Sequence, residues 1–476
     1  MSNDSLLTGK ILKLHGWPDG RIIGIAKDIG AGLADQGIDR ETILSRLDAV
    51  RHNPGPFLAD PLMADLAREC IRLTQKDYAP EENLRDQPLG YPIWGRENID
   101  DGSIAQMDNA MRLPISVVGA LMPDAHVGYG LPIGGVLGTN NAVIPYAVGV
   151  DIACRMRLSI YEVSPHFMGQ KKALFENALW EQTAFGVGAQ WKGDRSADHA
   201  VLDDSAWEAT KLLQNLKDNA VRQLGTSGTG NHFVEWGSFR LHEPALGLQP
   251  GEYLALLSHS GSRSVGFKIA DRYSKLAMEL HPDLDKNVRH LAWLSLDSEA
   301  GQEYWLSMEL AGRFASASHY VIHHRVAKAV GLKEAAVVEN HHNFAWKEKL
   351  PDGKTVIVHR KGATPAGAGV LGVIPGSMGD AGYVVRGRGV SESLESASHG
   401  AGRLMSRKAA LNSISKSARD EYLKERGVTL LGGGLDESPQ AYKPIDSIIA
   451  AQPDLVDVLG KFTPRIVRMA DEAGNF

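Results

Sequence analysis

From about Ser116 to Val163 the chain is a succession of short aliphatic runs, each stopped by Gly or Pro before it reaches helical length. Such runs bounded by turn residues are strand-and-turn chemistry, so the centre of the protein is expected to be sheet. Helical spacing follows at Lys171 to Phe185, Ser205 to Leu224, Val265 to Leu280 and about Gln302 to Val330. Strand-like segments lie between and after these, at Tyr253 to Leu257, Ala336 to Val338, Thr355 to Val358 and Gly382 to Val385. There is no fixed-period repeat, which excludes solenoids and propellers. Strands and helices mix without a regular βαβ alternation, so the expected class is α+β, built as one large sheet-and-helix body.

Residues 1–95 read as a mostly helical N-terminal extension, with Arg40 to Leu47 and Pro61 to Ala67 at helical spacing. The polar stretch Tyr78 to Trp94 carries Pro80, Pro88 and Pro92 and reads as a linker or wrapping arm; the body is expected over 96–476. Met1 to Leu14 lacks the apolar core and cleavage pattern of a signal peptide, and no run approaches transmembrane length. The expectation is a soluble, cytoplasmic protein with no membrane partner. With 51 basic and 57 acidic side chains the net charge is -6, which argues against indiscriminate nucleic-acid binding but allows a local basic groove.

Only two cysteines occur, Cys70 and Cys154, which excludes a disulfide framework and a four-cysteine zinc site. A metal site would therefore rest on imidazole and carboxylate. Asp151 and Cys154 reach the same side only if the chain turns between them, the arrangement of two ligands on one metal. Alone, Cys154 reads more readily as a small buried hydrophobe, and Cys70 as a buried helix residue. Four histidines sit in loops beside small or polar residues: His232, His259, His342 and His399. Together with Asp151 and Cys154 they point to a metal-dependent site, since neutral imidazole is the commonest metal ligand. His319 and His323 have the i, i+4 spacing of a helical zinc pair, but Tyr320 stands where that motif needs Glu, so they read as ordinary helix surface.

Gly-rich loops recur at Gly128 to Gly130, Gly225 to Gly230, Gly376 to Gly382 and Gly400 to Gly402, where backbone can approach a ligand closely. Arg263, Arg360, Lys361, Arg403 and Arg407 lie beside these loops and suit a substrate bearing phosphates. Neither a P-loop nor a strand-anchored Rossmann fingerprint is present, so a nucleotide would be held some other way.

Eight motifs then occur in a familiar order. They are Met122-Pro123-Asp124-Ala125-His126-Val127-Gly128, Val148 to Cys154, Gly228-Thr229-Gly230-Asn231-His232-Phe233, His259 to Arg263, His341-His342-Asn343, Arg360-Lys361-Gly362-Ala363, Pro375 to Gly379, and His399-Gly400-Ala401-Gly402-Arg403-Leu404-Met405-Ser406-Arg407. In this series the chain resembles the RtcB-type RNA ligases from about residue 104 to 465, including Ala441-Tyr442-Lys443.

The resemblance implies a ligase dependent on GTP and Mn2+ that joins RNA 3'-phosphate or 2',3'-cyclic phosphate ends to 5'-hydroxyl ends, in RNA repair or tRNA splicing. Asp151, Cys154, His232, His259 and His342 would bind two metal ions, with Cys154 bridging them. His399 would form a histidine-GMP intermediate and Asp124 would orient it, much as a carboxylate fixes one imidazole tautomer. Arg263 and Arg403 would lie near phosphates. Asn231, Glu235, Asn343, Ser377 and Tyr442 would contact GTP, with Gly400, Ala401 and Gly402 leaving room for the triphosphate. A helix beginning near Gly402 would favour the anion. Cys and His donors suit Zn2+ as well as Mn2+, so manganese rests on the resemblance alone.

Three features depart from the family pattern: Gly382 in place of Ser, Arg155 in place of Gly beside the metal site, and Arg468 to Phe476 in place of a Val-Lys-Gly segment whose lysine helps read guanine. They leave base selectivity open. The substrate is expected to be RNA with broken ends, tRNA among them; an activating protein partner is not identified by the sequence. The alternative reading is a metal-dependent 3'-end phosphoesterase or nucleotidyl transferase that caps ends without sealing them. A non-catalytic RNA-binding protein would leave Cys154 and His399 without a role.

Overall fold

The computed structural model describes residues 7–74 and 83–471. The α+β expectation holds. A large sheet runs in the order Leu371–Ile374, Gly382–Gly387, Val456–Met469, Phe233–Leu241, Gly251–Ser260, Arg155–Tyr161, Ala336–His341. Those neighbours are antiparallel, and Thr429–Leu431 adds a parallel partner to Val456–Met469. A second antiparallel sheet runs Ser116–His126, Ile133–Thr139, Thr355–Lys361, Asn343–Lys349. A short ladder pairs Ala363–Pro365 with Ser396–Ser398.

Every residue of the strand Arg155–Tyr161 is buried, because the strand is central and covered on both faces. Met156, Leu158 and Ile160 enter an apolar cluster with Leu257, Val338 and Phe462. The alternate residues Arg155, Arg157 and Ser159 meet polar partners instead, as period-two geometry requires. Arg155 pairs with Glu339 Oε1 at 2.9 Å and donates to the Gly312 carbonyl at 3.0 Å. The cation expected beside the metal site is thus neutralised on the other side of the strand.

The 31-residue helix Glu299–Ala329 is capped by Ser298, whose hydroxyl accepts from the Gly301 amide at 3.0 Å. Here the sequence reading of His319 and His323 is overturned. Both are fully buried, because the sheet face they meet carries serines rather than solvent. His323 lies 2.6 Å from Ser159 Oγ and 2.7 Å from Ser258 Oγ. His319 bonds Ser258 Oγ at 2.6 Å and the Ser260 carbonyl at 3.1 Å. Burial pushes the His319 imidazole down to about 3, so it packs as a neutral ring.

Toward the N-terminus lie the helices Gly9–Leu14, Arg21–Asp35, Arg40–His52 and Ala64–Thr74. Ile22, Ile23, Ala26, Ile29 and Leu33 bury one stripe against Ile43, Leu47, Leu66 and Cys70, forming an apolar cluster of their own. Cys70 is a core residue there, and burial pushes its thiol up to about 11. Lys13 reaches Glu299 on the long helix at 3.3 Å. Of the Pro-rich stretch, residues 78–82 lie outside the described residues. The rest runs along the body, with Arg85 N bonding Arg112 O at 2.8 Å and Trp94 N bonding Leu121 O at 3.0 Å. Among the described residues no helix is long and apolar enough to cross a membrane.

Candidate active site

Four of the expected metal ligands flank one end of four adjacent strands. Cys154 precedes Arg155–Tyr161, His232 precedes Phe233–Leu241, His259 is near the end of Gly251–Ser260, and His342 follows Ala336–His341. Register aligns them: Phe233 pairs with His259, and Arg155 pairs with both Ser260 and His341. Asp151 joins through the expected turn, in which Cys154 N bonds Asp151 O at 3.2 Å and Ala153 takes a positive φ of 56°. At Gly261 a Cβ would run into the Asp151 carboxylate, so any larger residue there would have to displace that carboxylate from the cluster.

The donor atoms form a continuous series. Asp151 Oδ2 lies 3.0 Å from His232 Nε2, which lies 3.4 Å from Cys154 Sγ. The sulfur lies 3.0 Å from His259 Nε2, and that nitrogen 3.2 Å from His342 Nε2. Ligands at metal distances of about 2.0 to 2.3 Å lie roughly 2.8 to 3.8 Å apart, from octahedral to tetrahedral arrangements, and these separations fall in that range, so the residues fit a cation. Cys154, His232 and His259 already converge with all donor atoms within 4.8 Å and all three residues buried.

Protonation in the bare chain agrees. Burial, reinforced by neighbouring imidazoles, holds His259 and His342 well below the ordinary histidine value, leaving lone pairs free. Burial opposes the charge of Asp151, but the His232 hydrogen bond and charge outweigh it and keep the carboxyl below its ordinary value. Burial and then Asp151 push the Cys154 thiol well up. A coordinated cation would reverse this, because a ligating thiol is deprotonated.

Asp124 comes from the second sheet and His399 from the residue after Ser396–Ser398. His399 Nδ1 stands 2.6 Å from Asp124 Oδ2, and the same oxygen accepts from the His399 amide at 3.1 Å. Asp124 is completely buried; burial opposes its charge, but His399, Lys443 and His126 together hold the carboxyl below its ordinary value. With Nδ1 committed, Nε2 of His399 is left free to react. The His342 ring lies beside it, tilted by 51°, with centroids 4.9 Å apart.

A cavity of about 480 Å³ opens over these groups. Asp151, Cys154, His259, His342 and His399 line it with Asn231, Asn343, Ser377, Tyr442, Gly400, Ala401, Gly402 and Arg403. Glu235 is not among its lining groups: it is buried in the sheet, where burial pushes its carboxyl well up. His232 and Arg263 pack behind the wall against Gly228. Arg263 donates to Thr226 Oγ1 at 3.1 Å and Gly186 O at 2.9 Å.

Three expectations need correction. Arg360, read as a phosphate-facing cation, is only 1% exposed and bidentate to Glu348 at 2.7 and 3.0 Å, with its guanidinium over Trp346. No helix begins near Gly402; the next starts at Arg407 behind the Ser406 cap, and Gly402 is a left-handed loop residue with φ 71°. Arg155, as described, turns away from the metal ligands. The cations that do line the cavity are Lys361, Arg403 and Arg407. Burial pushes the Lys361 ammonium down to about 7.

Sequence reasoning missed Glu437, which also lines the cavity; no motif marks it beyond its place five residues before Tyr442. It missed the role of Lys443 as well, whose Nζ donates to Ala125 O at 2.6 Å beneath Asp124.

A family model described as tRNA-splicing ligase RtcB matches residues 106–470. An RNA-splicing ligase RtcB1 of Escherichia coli is 35% identical over 379 residues, covering 71% of this chain and 87% of the relative. A tRNA-splicing ligase RtcB of Thermococcus kodakarensis is 32% identical over 424 residues, covering 73% and 86%. One of Methanococcus maripaludis is 30% identical over 422 residues, covering 74% and 88%. The match spans both sheets and every residue of the candidate metal-binding cluster, and the chain belongs to the RtcB family of RNA ligases.

Proposed function

We propose that this ligase uses GTP and two Mn2+ ions to join RNA 3'-phosphate or 2',3'-cyclic phosphate ends to 5'-hydroxyl ends, in RNA repair or tRNA splicing. The observation that carries the reading is His399: one nitrogen is held by buried Asp124, the other is free, and the ring adjoins the metal donors inside a nucleotide-sized cavity. The relatives' names, RNA-splicing and tRNA-splicing ligase, support RNA as the substrate. In this reading the protein acts in the cytoplasm, and residues 96–476 form the catalytic domain behind an N-terminal extension over 1–95.

Asp151, Cys154, His232, His259 and His342 would hold the ions, with the Cys154 sulfur between the two sets of donors. Bound there, divalent ions supply charge stabilisation to attacking and leaving phosphate oxygens. In the first step His399 Nε2 attacks the α-phosphorus of GTP, the Nε2–P bond forms, and pyrophosphate leaves. Asp124 keeps the Nδ1 proton and balances the cationic ring that results. A 2',3'-cyclic phosphate end is first opened by water, which breaks the P–O2' bond, and an oxygen of the resulting RNA 3'-phosphate then displaces His399 from the guanylate. Finally the 5'-hydroxyl attacks the activated 3'-phosphorus, forming the phosphodiester as GMP departs. Asn231, Ser377 and Tyr442 line the space for the guanosine.

The test is incubation of the full chain with GTP, Mn2+ and RNA bearing a 3'-phosphate and a 5'-hydroxyl. A joined product and a covalent GMP adduct that His399→Ala abolishes are expected. Loss of neither on that substitution would overturn the reading, and capped 3' ends without joining would favour a nucleotidyl transferase.

A further inference from the structure

Glu437 sits in the loop that returns to Tyr442, and its side chain is 1% exposed. Three groups converge on this one carboxylate. Arg403 Nη1 reaches Oε2 at 3.0 Å, and the Tyr442 hydroxyl donates to the same oxygen. Arg407 Nη1 stands 2.6 Å from Oε1 as an ion pair, and also donates to Asp436 Oδ2 at 2.8 Å. Arg403 Nη1 donates in turn to the Tyr442 oxygen at 3.2 Å, and its guanidinium lies over the Tyr442 ring at 5.0 Å. Backbone bonds tie the same two loops: Leu404 N to Ala441 O at 2.9 Å and Lys443 N to Gly402 O at 3.0 Å.

The donors of the two arginines divide unequally. A guanidinium has five N–H groups. Arg403 commits Nε to Met405 O, Nη1 to Glu437 and Tyr442, and Nη2 to Asp436 O at 2.6 Å, so it is nearly saturated by protein. Arg407 is half exposed, and among the described residues nothing accepts from its Nε or Nη2. Its Nη2 lies against Gly230, at the start of the loop that carries Asn231 and His232, where a Cβ would approach to 2.6 Å.

We propose that Glu437 is a positioning residue that clamps Arg403, Arg407 and Tyr442, so that Arg407 rather than Arg403 offers its free donors to the nucleotide phosphates. This rests on the GTP reading above. Arg403 is then a strut joining the loop after His399 to the loop before Lys443. Glu437→Gln keeps the shape but removes the charge and turns an amide N–H toward one of the arginines. Glu437→Asp keeps the charge on a shorter arm.

The experiment compares wild type, E437Q and E437D as full chains, measuring GTP affinity by calorimetry and GMP-adduct formation at single turnover. For E437Q the GTP dissociation constant should rise about tenfold, the loss of a charge-assisted contact, while the rate at saturating GTP stays within about threefold, because Asp124 and His399 are untouched. E437D should fall between. Unchanged GTP affinity in E437Q, or a saturated rate that falls as far as the affinity, overturns the clamp. Should E437Q fail to fold, Arg407→Lys, which keeps the charge but removes the unpaired Nε and Nη2 donors, must raise the GTP dissociation constant or the clamp is overturned. A wild-type protein that neither binds GTP nor forms the adduct would instead sink the functional reading itself, whereas a competent wild type indistinguishable from E437Q sinks the clamp alone.

Discussion

Asp124→Asn isolates what the buried carboxylate contributes to His399. Asp124 Oδ2 receives His399 Nδ1 at 2.6 Å, the His399 amide at 3.1 Å and the Gly400 amide at 3.4 Å. The two backbone amides are fixed donors, so an asparagine must place its oxygen there, and the geometry survives. What disappears is the charge. A hydrogen bond to a charged group is worth about 1.5 to 3 kcal/mol against about 0.5 to 1.5 for a neutral one. The imidazole also loses its counterion as it becomes cationic on attack. A combined loss of about 3 kcal/mol corresponds to a roughly 100-fold slower adduct formation. The assay is single-turnover transfer of labelled GMP to the protein at saturating GTP. A rate within threefold of wild type, or a fall in GTP affinity at an unchanged rate, would refute the orienting role. Acid stability gives an independent check. The folded Asp124 carboxyl lies below its ordinary value of 3.8, so its stabilisation is present above that value and fades as pH falls through the folded one. The variant should therefore lose less stability than wild type on acidification in that window.

Cys154→Ser should remove bound metal, measured by elemental analysis of the purified chain, and abolish the adduct; full metal content would show that the sulfur is not at the centre of the donor set. Gly382→Ser should be tolerated, because a Cβ there meets nothing closer than Pro375 Cα at 3.5 Å; a melting temperature lowered by more than a few degrees would contradict that space. Arg360→Met should cost roughly 2 kcal/mol of stability through the broken Glu348 pair while leaving RNA affinity unchanged, the reverse of what a phosphate-binding arginine would do. Lys361, pushed down to about 7 from 10.5 by burial, binds fewer protons folded than unfolded, so its contribution rises with pH between those values. Urea midpoints of wild type should thus climb from about pH 7 to about pH 9 relative to Lys361→Met, and parallel curves would contradict it.

The candidate metal ligands were legible because His232, His259 and His342 stand beside small or polar residues in the sequence, although His259 itself lies within the strand Gly251–Ser260. Of the strands behind them, those adjoining Cys154 and His342 and bearing His259 were legible as aliphatic runs, whereas Phe233–Leu241 behind His232 was not, because Glu235, Gly237, Ser238 and Arg240 interrupt its apolar run. Partner choice carries none. Arg360 and Arg403 sit in the same kind of sequence context as Arg407, yet Glu348, Ser396 and Leu394 take up the donors of the first, and Glu437, Tyr442, Met405 and Asp436 those of the second, from as far as 36 and 39 residues away. His319 and His323 were misplaced for the same reason. Polar neighbours along a helix suggest solvent, but Ser159 and Ser258 project from the sheet beneath and give the buried imidazoles hydrogen-bond partners in place of water.

The site's geometry is therefore a property of strand register more than of any single motif. Cys154, His232 and His342 each flank a strand whose pairing leads back to the strand bearing His259, and a one-residue slip would turn His259 to the opposite face of the sheet. On that opposite face Ser159, Ser258, His319 and His323 make a fully buried chain of hydrogen bonds between the strands and the long helix. A slip would strand each of these polar groups without a partner at about 1 to 3 kcal/mol apiece. The metal face and the helix face thus demand the same register. This explains how candidate ligands separated by nearly two hundred residues of chain are held to within a hydrogen-bond length of one another.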